Sequence, residues 1–162
     1  MRSQITDYKS QIAVGGLLAG LGDISQAFLF FYLAAGASPF RILQSIARGW
    51  FGPRAFQMGW TSALIGLASH FFIATTAAAV YVLAARALPV LRERWILCGL
   101  AYGLVVFGVM YFVVMPLSPI GWPKLPFSWA TWVTGPVGHP LLVGLPIAWA
   151  AQRTATQRHP AR

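Results

Sequence analysis

Four long apolar runs, broken only by short polar stretches, constrain this chain more than anything else in it. They cover about residues 12–35, 58–85, 95–116 and 133–151. Each is close to the ~20 residues that a helix needs to cross roughly 30 Å of hydrocarbon. Lipid offers no hydrogen-bond partner, so a spanning backbone must satisfy itself, as a helix or a closed barrel. The runs are continuous, not alternating, which selects helices over barrel strands. The expected fold is all-α, a polytopic membrane protein with a single transmembrane domain over 1–162. Only 9% of the residues are charged, against about 25% in a soluble domain. A cleaved signal peptide fits the first run poorly. The run exceeds the usual core of roughly 7–15 residues, and it contains Asp23.

The formal net charge is +9. The basic residues are spread between the apolar runs, so they are read as setting topology, with lipid and not nucleic acid as the partner. The N-terminus, the second connection and the C-terminus share one side. They carry Arg2, Lys9, Arg86, Arg92, Arg94, Arg153, Arg158 and Arg162. Arg41, Arg48, Arg54 and Lys124 fall on the other side. The excess puts both termini in the cytoplasm. Cys98 is the only cysteine, so an internal disulfide and a paired-cysteine metal site are excluded.

The first connection is more than a linker. Ser38-Pro39 reads as a helix cap followed by proline in the first turn. Phe40, Leu43, Ile46, Ala47 and Trp50 then recur at helical spacing, opposite Arg41, Gln44, Ser45 and Arg48. This predicts a short amphipathic helix over about 39–50, either lying in the interface, with Arg41, Arg48 and Trp50 as interfacial residues, or serving as a solvated connector that packs on the bundle. The third connection holds Pro116, Pro119, Pro123 and Pro126 among tryptophans, which favours an extended segment. The last run holds Pro136, Pro140 and Pro146 and is expected to kink or to start late.

Polar residues inside the apolar runs are the candidate site. Gly16, Gly20 and Asp23 share one helix face, since steps of three and four return to it. Gly16 and Gly20 form a GxxxG pair suited to close helix packing. Gly66 and His70 repeat the device in the second run. Asp23 lies twelve residues before Ala35 and His70 eleven after Gly59. Both therefore sit roughly 17 Å below the same end. A lone buried carboxylate is costly, so an Asp23–His70 contact is expected. Gln26, Ser25, Ser69, Thr75 and Thr76 read as helix-to-helix glue. His139 should lie only roughly 8 Å deep, where it packs at the interface. That depth mismatch argues against haem held by His70 and His139, and no cofactor or metal is expected.

GLLAGLG has the glycine spacing of a dinucleotide loop, but no strand precedes it and a span contains it. With no P-loop, HExxH or GxSxG motif and three acids in all, enzymatic chemistry is not expected. The stretches GLLAGLGDI, RILQSIARGWFGPRAF, GLASHFFIA, VMYFVVMPLSPI and HPLLVGLPIAWAAQR together resemble the YagU-like group of small four-span bacterial inner-membrane proteins. The resemblance runs from about Ile12 to Arg153. It implies a bacterial inner-membrane location and a connection with acid resistance. It carries over no catalytic residues. The positions shared are Asp23, Arg41 to Ser45, Gly52-Pro53, His70 and His139.

Two functions follow from these residues. One is a non-enzymatic accessory or stress-related bundle in which an Asp–His contact clasps two helices, with a homo-oligomer or another membrane protein as partner. The other is a small oligomeric transporter or proton-handling protein using Asp23 and His70. An open cavity lined by these residues would favour the second, and a dry contact the first.

Overall fold

The computed structural model describes residues 7–153. Arg2, Arg158 and Arg162, which entered the orientation count, lie outside the described residues. All regular structure among the described residues is helical. Helix α1 spans Tyr8–Ala35, α2 Pro39–Phe51 and α3 Gly59–Ala87, with a 3₁₀ turn over Gly52–Gln57 before α3. The single turn α4, Val90–Glu93, leads into α5, Trp95–Leu117. Helix α6 covers residues 129–152 and is wound as a π-helix over Val133–Gly144. Three of these, α1, α3 and α5, are long and apolar enough to cross a membrane.

Local chemistry sets the ends. Asp7 caps α1, its carboxylate accepting from the Ser10 amide at 2.9 Å and the Ser10 hydroxyl at 3.0 Å. At the other end Gly36, at φ 62, turns its amide back onto the Phe31 and Tyr32 carbonyls, a left-handed cap that glycine adopts without strain. Ser38 caps α2 by accepting from the Arg41 amide at 3.3 Å. Ser128 caps α6 by accepting from the Thr131 amide at 3.2 Å. The last apolar run therefore becomes helical four residues before the expected start at 133.

The Asp7 cap titrates. Hydrogen bonds from Ser10, backbone first, hold its carboxyl below the usual 3.8. A depressed folded value adds stability that is present above the unfolded value and lost as pH falls through the folded one. Amide exchange at Ser10 and Gln11 is expected to accelerate specifically below pH 3.8, and exchange deeper in α1 to stay unchanged. Equal acceleration along all of α1 would count against the cap.

Successive long helices run antiparallel. Phe30 and Trp129 meet edge to face at 6.1 Å at one end of α1. At the other end Gln11 Nε2 donates to the Arg153 carbonyl at 2.8 Å. We call these the loop end and the terminal end. Helix α1 packs along α3 and α6, and α5 packs along α6. Small residues make these approaches possible, because dispersion between close backbones holds helices together where solvent is apolar. A Cβ on Gly16 would lie 2.8 Å from Thr75 Cα, and one on Gly20 2.7 Å from the Phe71 ring. On Gly103 it would overlap the His139–Pro140 backbone. Gly66 serves a different contact from the one expected, since its missing Cβ makes room for the Leu43 carbonyl of α2. Helix α2 is thereby seated on the loop half of α3.

Helix α6 is the least exposed of the long helices. Thr134, Gly135, Gly138, Pro140, Val143 and Gly144 are buried in its π-wound part. Pro136 and Pro140 lack amide hydrogens and push against carbonyls one α-turn back, a crowding that the wider π turn relieves. In the terminal half, tyrosines join α3 to α5 and to the turn α4. Tyr102 donates to the Ala77 carbonyl at 2.7 Å and Tyr81 to the Leu91 carbonyl at 2.9 Å, with their rings 4.9 Å apart. Around them Ala78, Val82, Ile147 and Ala148 form the core. In the loop half the same two helices part.

Candidate functional site

The parting of α3 and α5 leaves an open cavity of about 1090 Å³. Its walls come from α1, α2, α3, α5, α6 and the 118–128 connection. On the terminal side it ends on Ala19, Ala77, Val106 and Val143, directly above the tyrosine layer. Toward the loop end it is lined by Arg48, Trp50, Pro119 and Lys124. Asp23, His70 and His139 all face it.

These three do not pair as the sequence suggests. The expected Asp23–His70 contact is replaced by two separate arrangements. The His70 ring lies on Gly20, with Nε2 2.9 Å from the carbonyl oxygen. A carbonyl only accepts, so Nε2 carries the hydrogen there. Asp23 instead accepts from Gln26 Nε2 at 2.8 Å and has His139 Nδ1 at 3.8 Å. At that distance the histidine is a neighbour of the carboxylate and not its hydrogen-bond donor. His139 Nδ1 donates to the Thr134 carbonyl at 2.8 Å, and Gln26 Nε2 also reaches that carbonyl at 3.2 Å.

Two physical facts explain the change of partner. His139 is deeper than expected because α6 starts at Trp129. Ten residues of helix carry it about 15 Å from the loop end, level with Asp23. In addition, Gly138 leaves a gap on α6 that the Gln26 amide fills. Gln26, 7% exposed, thereby ties Asp23 to α6. His139 packs on Phe107, ring centroids 5.6 Å apart, and not at the interface.

Of the residues expected at the interface, Arg41 lies 3.7 Å over the Phe56 ring. Trp50 donates from Nε1 to Ser69 Oγ at 2.9 Å, fixing α2 to α3. Arg48 turns into the cavity wall, and its Nε is buried without a hydrogen-bond partner. Sequence reasoning missed Thr134, Gly138, Tyr102 and Lys124. Gly99 and Gly103, four apart in the third run, were the available signal that α5 packs closely on another helix. Among the described residues no three of His, Cys, Asp and Glu converge as metal ligands do.

The cluster sits at mid-helix depth. Asp23 has one donor at 2.8 Å and a histidine at 3.8 Å, and its side chain is 22% exposed, with His139 at 14%. No family model, curated protein or solved structure matches this chain, so the functional argument rests chiefly on the cavity and on Asp23, His70 and His139 in its wall.

Proposed function

We propose that the chain is a non-enzymatic four-span protein of the bacterial inner membrane, with both termini in the cytoplasm, that binds a ligand and responds to protons through this cavity. In this reading α6 is the fourth span and α2 lies at the outer interface. One observation carries it: Asp23, His70 and His139 line one open cavity. Ionisable side chains at membrane depth are costly and mark pathways and relays. A clasp would seal its ions among packed side chains, and here both partners of the pair keep exposed surface. The connection with acid resistance implied by the YagU-like resemblance suits a proton-responsive element. The competing reading, an accessory bundle held by a polar clasp, draws on the burial of Gln26 between Asp23 and Thr134.

Purified protein in liposomes separates the two. Under an imposed pH gradient, internal pH is expected to change faster than in empty vesicles, in proportion to protein density. Asp23→Asn keeps the oxygen that accepts from Gln26 and removes the charge, and it is expected to abolish the difference. Traces matching empty vesicles at every density would sink proton handling and leave the accessory bundle.

A further inference from the structure

We propose that the cavity takes a single-chain amphiphile with an anionic head, the head on Arg48 and Lys124 and the chain along the apolar wall. This rests on the cavity being a binding site, as above, and names its ligand. Charge is the first argument. Arg48 and Lys124 line the cavity toward the loop end, and the only acid lining it is Asp23, which Gln26 and His139 already engage. The other acids, Asp7 and Glu93, belong to the terminal end.

Hydrogen bonding is the second argument. Arg48 Nε is buried with no acceptor, and its guanidinium stands 5.7 Å from the Phe56 ring, a contact that leaves the donors unused. A buried unsatisfied donor is unfavourable, and a carboxylate or phosphate oxygen is the acceptor that a guanidinium binds best. Shape is the third. Below the cations the wall is apolar, with Phe31, Ile46, Met110, Val114 and Met115 facing the space. Methionine adapts to a flexible chain. From Leu117 to Val106 the wall runs about 16 Å along α5. The volume of about 1090 Å³ slightly exceeds the usual range of ligand pockets, roughly 300–1,000 Å³, which leaves room for one chain with its head.

The test uses the full chain in nanodiscs of zwitterionic lipid, with palmitate, lysophosphatidic acid and hexadecanol as probes. Palmitate is expected to bind saturably, one per chain. Arg48→Gln and Lys124→Gln are each expected to weaken it about tenfold, the worth of one charge-assisted contact. Arg48→Lys should restore part of that loss, and hexadecanol should ignore all three variants. Lysophosphatidic acid should follow palmitate. Palmitate affinity unchanged in both glutamine variants, or equal to that of hexadecanol, overturns the proposal. Lys124 is on an exposed connection, so its variant stays informative if Arg48→Gln fails to fold. Cavity access is read separately, by labelling Met110→Cys with a water-soluble maleimide in a Cys98→Ser background. Labelling without palmitate binding means that the cavity stands and the ligand class is wrong. Absence of both means that the cavity reading falls with it.

Discussion

Gly144→Leu is expected to yield no folded protein. A Cβ at this position would overlap the Gly99 carbonyl and lie 2.7 Å from the Gly103 amide nitrogen. Overpacking usually costs about 1–3 kcal/mol, because neighbouring side chains shift. Here both obstacles are helix backbone and cannot swing aside. Accommodating leucine means prising α5 off α6 along its length, a loss comparable to the total stability of about 5–15 kcal/mol typical of a domain. Gly108→Leu is the control. Nothing lies within 4 Å of a Cβ there, and stability should stay within about 0.5 kcal/mol of the parent. Denaturant titration in detergent reads both. A folded Gly144→Leu protein with near-parental stability would show that α5 and α6 do not touch as described.

Gln26→Leu is expected to cost about 2–3 kcal/mol. The volume hardly changes, so the space over Gly138 stays filled. The loss is electrostatic. The Thr134 carbonyl keeps His139 Nδ1 as a donor, so its share is small. Asp23 loses its 2.8 Å donor and retains only a histidine at 3.8 Å. A hydrogen bond to a charged group contributes roughly 1.5–3 kcal/mol, about twice a neutral one. Thermal unfolding checks this. A loss below about 0.5 kcal/mol would mean that solvent already satisfies Asp23.

Much of this architecture is legible from residue types alone. Continuous apolar runs select helices, Ser38-Pro39 marks the start of α2, and Gly16 and Gly20 mark a packing face. Each is a local signal, read within a few residues. The partner of Asp23 is not local. It depends on the register between α1 and α6, hence on where α6 begins, and Ser128 rather than the apolar pattern decides that. Counting apolar residues from 133 left His139 too shallow and His70 as the apparent partner. Gly66 misled in a similar way. A small residue announces that something comes close, and says nothing of whether it is α1 or α2. The cavity is the hardest to foresee, because it is made where α3 and α5 fail to meet.

The π-wound α6 bears on how the molecule is assembled. It holds three prolines, three glycines and a histidine, and lipid alone would retain such a segment poorly. It is also the last of the long helices to leave the ribosome. By then α1, α3 and α5 are already made, and the surfaces that bury α6 exist before it arrives. The least apolar of the long helices thus meets protein surfaces that are already made, and order of synthesis bears directly on how it packs.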